Sequence, residues 1–319
     1  MDREYRADLR TTVAMNVRPM PVFLNPQGGG AARARAALAG DVRVELRELE
    51  PASMADAVRA EAERGTPRVA VCGGDGTLST ALGAAARSPL EVGIIPGGTL
   101  NHFARDFDIP LGDSRAALDV ALQGTAQPVD LGYVNGHPIL NTSSVGVYVD
   151  FVRRRELLER RLRYRVASVG AAFAVWHDPR AFAVELRTAD GELRRVSTPL
   201  VFVGVQERVL ARGAPGTLGV RRTGGARALH ILVVNEHALL RIRSLVFRAI
   251  ARGIDGLIDD DEITSYLTTR AVVASAEARG SIAIDGELVD VGWPLRYELV
   301  PNAVKVVRPM TDSNIAEHL

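Results

Sequence analysis

Three glycine-rich stretches are the places where this chain's backbone could meet an anion. They are Asn25-Pro26-Gln27-Gly28-Gly29-Gly30, Cys72-Gly73-Gly74-Asp75-Gly76-Thr77 and Pro96-Gly97-Gly98-Thr99-Leu100-Asn101. Consecutive glycines permit a tight turn and remove the Cβ atoms that would hold a phosphate away from backbone N–H groups. A helix opening just downstream adds its dipole. The middle stretch is the strongest of the three, because it follows an apolar run, Val69-Ala70-Val71-Cys72, and leads into a helical pattern. Thr77 is placed to cap that helix or to bond a phosphate oxygen. Asp75 lies at the same mouth, where a carboxylate needs a divalent metal or a hydroxyl substrate as a reason to face an anion. Alone, Gly-Gly-Asp-Gly also reads as a plain strand-to-helix turn. Three such loops at the ends of three strands point to a shared phosphate site.

Composition narrows the chemistry. The chain carries one lysine, Lys305, among 39 basic residues, so neither a Walker A loop nor the strand lysine of a protein kinase exists. Lys305 stands in Ala303-Val304-Lys305-Val306-Val307 and reads as decoration of an edge strand. Anions must be handled by arginine, backbone N–H groups or a metal. A single cysteine, Cys72, excludes an intrachain disulfide and reads as a small buried apolar residue. Six scattered histidines form no zinc pattern. A formal charge of +1 disfavours nucleic acid as a partner. The start of the chain has no signal-peptide pattern and no apolar run is long enough to span a bilayer, which leads to the expectation of a cytoplasmic protein.

The elements that must position these loops alternate. A strand at 21–24, a helix through Leu38 and a strand through Val42, Val44 and Leu46 come first. Next are a helix capped by Ser53 and ended by Gly65, a buried strand at 68–72, a helix at about 77–87 and a strand at 92–95. Helices near 100–107 and 114–123 complete a βαβ series, which implies a mostly parallel sheet covered by helices, an α/β nucleotide-binding layout over about 18–130. From about 131 to 293 strands dominate: 129–134, 139–149, 181–188, 193–202, 229–234, 263–269, 271–276 and 281–284, with another at 295–300. Ala189-Asp190-Gly191 reads as a tight turn, and helices are expected at about 153–176 and 237–252. The second region is expected to be an antiparallel β domain, and the cleft between the two is the default ligand site.

The three loops together resemble the motifs of the diacylglycerol kinase catalytic family, which includes bacterial lipid kinases and sphingosine and ceramide kinases and is more distantly related to NAD kinases. Gly73-Gly74-Asp75-Gly76-Thr77 is common to all these groups. Pro96-Gly97-Gly98-Thr99-Leu100-Asn101-His102-Phe103-Ala104-Arg105 is characteristic of the lipid branch. Asp130-Leu131-Gly132, Asn141 with Gly146, and Asp285-Gly286-Glu287 follow in order, so the resemblance runs over about 20–308. It implies a three-layer α/β ATP-binding domain of the NAD kinase/diacylglycerol kinase type, a C-terminal antiparallel β-sandwich, and terminal strands at about 294–308 that return to the first domain. It implies an ATP- and Mg²⁺-dependent lipid kinase that phosphorylates a lipid hydroxyl. Asn25, Gly73, Gly74, Gly76, Thr77, Gly97, Gly98 and Thr99 would hold nucleotide, with Asn101 supporting that loop. Asp75, Asp285 and Glu287 would be the catalytic and magnesium-binding acids, one of the two aspartates serving as general base.

The sequence departs from the family in one region. There the family carries Asp-Gly-x-Leu-Asp, which helps hold a second, structural magnesium. The corresponding stretch here, Thr223-Gly224-Gly225-Ala226-Arg227-Ala228-Leu229-His230, has no carboxylate. The stretch upstream is altered to Val205-Gln206-Glu207-Arg208, and Arg208, Arg212, Arg221, Arg222 and Arg227 are expected to serve an anionic surface or substrate. Seven arginines fall within Arg153–Arg165 while apolar residues recur at helical spacing, so a basic amphipathic helix resting on the inner membrane face is a further expectation. A core-packed helix with a solvated arginine face fits the same pattern. His102 is expected at the nucleotide or facing solvent, the two tryptophans in the core, and Asp259-Asp260-Asp261-Glu262 in a solvated loop. Two other functions share the motifs: an NAD kinase-like enzyme, and a nucleotide- or lipid-binding protein without catalysis. Neither the lipid acceptor nor the oligomeric state is legible.

Overall fold

The computed structural model describes residues 18–99, 101–159, 170–171, 181–209, 220–222, 224–236, 263–276 and 280–310. The strands are β1 (Met20–Leu24), β2 (Val44–Glu48), β3 (Arg68–Gly73), β4 (Glu91–Pro96), β5 (Thr125–Val134), β6 (His137–Ile139), β7 (Thr142–Gly146), β8 (Phe182–Thr188), β9 (Leu193–Thr198), β10 (Leu200–Val205), β11 (Arg208–Val209), β12 (Val220–Arg221), β13 (Leu229–Val234), β14 (Ile263–Thr268), β15 (Arg270–Ala274), β16 (Ser281–Ile284), β17 (Glu287–Asp290) and β18 (Leu295–Arg308). The helices are α1 (Ala31–Leu38), α2 (Pro51–Glu63), α3 (Asp75–Ala85), α4 (His102–Asp106), α5 (Ser114–Gln123) and α6 (Val147–Glu159).

β1, β3 and β4 are buried along nearly their whole length, as strands covered on both faces must be, and β2, β1, β3 and β4 pair in parallel in that order. Helices α1 and α5 pack together, as do α2 and α3, giving a three-layer α/β arrangement. α2 starts two residues before Ser53: Pro51 takes the first helical position, where its fixed φ and missing N–H do no harm, and Glu50 is the cap residue. Met54, Val58 and Glu61 form its buried stripe.

The sheet does not stop at β4. β18 pairs with it in parallel and continues through β15, β8 and β9, all antiparallel, while β5 lies along β18's other side. A second, wholly antiparallel sheet has the order β14-β13-β10-β7-β16-β17. Val184, Leu186, Val273 and Leu295 of the first sheet meet Val201, Val203, Ile231 and Ile282 of the second in one core. That is sheet-on-sheet packing. The first core instead gathers β1, β3 and β4 with the helices and the far end of β18. β5 and β18 thus run through both.

Several local expectations change. The segment expected as a strand through residue 149 ends at Gly146, with φ +93, and α6 begins at Val147. Pro199 divides the expected 193–202 strand into β9 and β10. Lys305 is not on an edge, since β18 at that point lies between Glu91 of β4 and Pro128 of β5. The expected helix at 237–252, most of the helix at 153–176 beyond Glu159, and the acidic run 259–262 lie outside the described residues. Among the described residues no helix is long and apolar enough to cross a membrane.

Candidate active site

Because β1, β3 and β4 are parallel neighbours, the three glycine loops leave one edge of the sheet together. They are packed backbone to backbone. Gly97 N donates to Gly73 O at 2.9 Å, and Gly30 N donates to Gly97 O at 2.9 Å. A Cβ on Gly98 would come within 2.5 Å of Gly74 Cα, and one on Gly73 within 2.5 Å of the Thr77 side chain. Glycine is therefore required here for close approach between the loops. Asn101 adopts φ +50 and folds its amide back onto Gly98, accepting from its N–H at 2.9 Å and donating to its carbonyl at 2.8 Å. Thr99 and Asn101 line a cavity of about 170 Å³ with Gly29, Gly30, Arg33 and Gly98.

The cap of α3 is Gly74, without a side-chain cap bond, so Thr77 is not the cap but lies inside the first turn. Asn25 Nδ2 donates to Thr77 Oγ1 at 2.8 Å, which fills an acceptor position on that hydroxyl and leaves its proton available to a ligand. Asn25 thus acts on Thr77, and Gly76 sits between Thr77 and Asp75.

The acids come from the α/β part and from the second sheet. Asp75, at the start of α3, accepts the N–H groups of His102 at 3.0 Å and Phe103 at 2.9 Å, which fixes the N-terminus of α4. Asp285 and Gly286 are the two central residues of the β16–β17 hairpin, with φ +49 and +89, the geometry an Asp-Gly turn favours. The Asp285 carboxylate accepts from Leu140 N at 2.8 Å, Asn141 N at 2.7 Å and Thr142 N at 2.9 Å. Burial pushes its pKa up to about 6 against those three donors, and the Asp75 charge pushes the same way. Glu287 follows in the hairpin, and its carboxylate lies so close over Gly76 that a Cβ there would collide with it. Partial desolvation, then Glu156 and Asp75, raise the Glu287 pKa, and Arg155 opposes them. The structure therefore brings Asp75, Asp285 and Glu287 together at the glycine loops. Among the described residues no three Asp, Glu, His or Cys side chains stand close enough to hold a metal ion as they are.

Further residues at the site have roles that the sequence did not assign to them. Arg155 of α6, counted above as part of a basic face, is buried and donates to Gly286 O at 3.1 Å, holding the acidic hairpin. Arg221 is largely buried, with its guanidinium 5.4 Å from the Phe103 ring centre and 5.0 Å from that of Phe107. It donates to Leu140 O at 2.6 Å and pairs with Asp106 at 3.3 Å. Burial, then the like charge of Arg208, lowers its pKa to about 10. Burial raises the Asp106 pKa while Arg221 and Arg208 resist. His102 is half-buried, not solvent-facing, and burial lowers its pKa. All of these contacts are long-range pairings with no local pattern to announce them.

The arginines expected to serve an anionic surface are engaged internally where they are described. Arg222 meets Glu207 at 2.6 Å, Arg227 meets Asp130, and Arg208, buried, and Arg221, largely buried, stand beside Asp106. Arg212 lies outside the described residues, as does Trp176, while Trp293 packs against the second core. Cys72 is buried, and burial raises its thiol pKa to about 12. A larger cavity, of about 680 Å³, is lined by Ala183, Val184, Val196, Ala274, Trp293 and Pro294, none of them at this site.

Comparison with known proteins follows the same map. The family model of the diacylglycerol kinase catalytic domain matches residues 19–134. A diacylglycerol kinase from Mycobacterium tuberculosis is 28% identical over 312 residues, covering 89% of this chain and 93% of that protein. A diacylglycerol kinase from Bacillus subtilis is 39% identical over 82 residues, covering 24% of this chain and 26% of that protein. A crystal structure described as a candidate diacylglycerol kinase from Bacillus anthracis strain Sterne superimposes with a TM-score of 0.70 at 20% identity, covering 91% of this chain and 97% of that one. At that identity the superposition establishes the fold.

Proposed function

We propose, for a chain that carries a diacylglycerol kinase catalytic domain at residues 19–134, that it transfers the γ-phosphoryl group of Mg²⁺-ATP to the hydroxyl of a lipid. One observation carries this reading: acids from the α/β part and from the second sheet, Asp75, Asp285 and Glu287, converge where three glycine loops and the N-terminus of α3 leave the parallel sheet.

Phosphoryl transfer requires positioning and charge neutralisation more than covalent help from the protein. The N–H groups of the first turn of α3 donate to phosphate oxygens, and the Thr77 hydroxyl, oriented by Asn25, donates to one more. Arg33 and Thr99, at the smaller cavity, face the same ligand. Magnesium arrives with the nucleotide as part of the substrate, and Mg²⁺ bound to phosphates needs only one or two protein carboxylates. Glu287 and Asp75 are the two that lie over the loop. Asp285, its carboxylate aligned by three N–H groups and its pKa raised toward neutrality, is suited to take the proton of the acceptor hydroxyl.

The test is transfer of labelled γ-phosphate from Mg²⁺-ATP into a total bacterial lipid extract, with NAD as a parallel acceptor. A labelled lipid is the expected result, and mass spectrometry then names the acceptor. Label in NAD alone would replace the lipid reading, and ATP binding without transfer to either acceptor would reject it.

A further inference from the structure

The resemblance implies a structural magnesium helped into place by the stretch equivalent to residues 223–230. The described residues do not fit such an ion. The carboxylates the region offers are Asp130 and Glu207, and each already faces a guanidinium, Arg227 and Arg222 respectively. Glu207 also accepts from Ala226 N at 2.9 Å. Both nitrogens of His230 are in use: Nδ1 accepts from Arg208 N at 3.0 Å and Nε2 meets Ser265 Oγ at 2.8 Å.

What fills this place instead is Arg227. Asp130 lies on β5 and is 1% exposed, so its charge must be compensated inside the protein. Arg227 grips it with two nitrogens, Nε to Oδ2 at 2.9 Å and Nη2 to Oδ1. Gln206 donates to Oδ2 at 3.3 Å, and Asn302 N to Oδ1 at 2.8 Å. The same Arg227 Nη2 donates to Asn302 Oδ1 at 2.7 Å. Burial alone would raise the Asp130 pKa; these bonds outweigh it and hold the group ionised.

The location gives the cluster its importance. Asn302 has φ +51 and sits where the β5–β18 pairing breaks register, between Val300 and Val304. On one side of that break Leu299, Tyr297 and Val134 belong to the second core; on the other Val304, Val306 and Val129 belong to the first. Arg227 and Gln206 come from the loops flanking β10 and β13 of the second sheet. One cation therefore joins the second sheet to the two strands at the point where they pass between the cores.

We propose that the Arg227 guanidinium is a tethered cation that takes the place of a divalent ion at this joint, so that the stability of the fold does not depend on bound metal. Thermal unfolding of the nucleotide-free protein, at matched ionic strength, tests this apart from catalysis. The wild-type midpoint should be the same in EDTA and in millimolar Mg²⁺. Arg227→Met should lower it by about 5 °C or more, since it leaves Asp130 buried without its partner. Arg227→Lys should fall between, because an ammonium keeps the charge but not the two-point grip, and it carries the test if Arg227→Met does not fold. A wild-type midpoint that climbs to saturation with Mg²⁺ would overturn the proposal, as would an Arg227→Met or Arg227→Lys protein as stable as the wild type.

Discussion

Asp75 has two duties, and its substitutions separate them. It accepts two N–H groups of α4 and stands beside Glu287, so Asp75→Asn, which keeps an acceptor, should preserve more of the fold than Asp75→Ala. The glycines give a sharper contrast. Gly98→Ala forces a methyl into Gly74, an overpacking cost of about 1–3 kcal/mol, and should weaken ATP binding on the order of 10-fold. Gly29→Ala meets nothing within 4 Å and should bind ATP like the wild type. Nucleotide titration of the two variants checks both expectations. Cys72, buried and with a raised pKa, should resist thiol reagents in the native protein and react once it is unfolded, which a labelling assay with and without denaturant reads directly.

At the scale of elements, α4 is held at both ends, by Asp75 at its start and by Arg221 stacked over Phe103 and Phe107 and paired with Asp106. Arg221→Met should destabilise the protein by a few kcal/mol, less than the about 3–5 of a wholly broken buried pair, because Arg208 still faces Asp106; denaturant unfolding measures it. The β11–β13 region also has a pH signature. His230 Nδ1 must be unprotonated to accept the Arg208 N–H, and burial lowers its pKa below the usual 6.5. As pH falls through 6.5 the unfolded chain takes the proton first, so stability is lost on going down in pH. The midpoint should drop more between about pH 7.5 and 5.5 in the wild type than in His230→Gln; His102 shifts the same way, so the variant's slope shrinks without vanishing. Much of this architecture was legible in the sequence. The βαβ alternation and the three loops follow from local pattern, because parallel strands buried on both faces read as apolar runs. The start of α2 was misplaced because Ser53 looked like a cap and the preference of Pro51 for the first helical position was passed over. Arg155, Arg221 and Asp106 were not legible as site residues, since their partners lie more than 50 residues away or across a hairpin and sequence periodicity carries no trace of such pairings.

The whole molecule is two cores joined by two shared strands. β5 and β18 cross from one to the other, the Arg227–Asp130–Asn302 cluster pins the crossing, and the acidic β16–β17 hairpin of the second sheet lies over the α3 loop of the first. Under the proposed function this geometry divides the labour: the α/β part would supply a phosphate cradle and Asp75, and the second sheet Asp285 and Glu287. The most direct test is paired measurement of ATP binding and lipid-phosphorylation turnover for the wild type and Asp285→Asn, which keeps an acceptor for the N–H groups of Leu140, Asn141 and Thr142. The account predicts that Asp285→Asn binds ATP with similar affinity while kcat falls at least about 100-fold, as expected for loss of a general base. An Asp285→Asn protein that binds ATP and still phosphorylates lipid at the wild-type rate would contradict it.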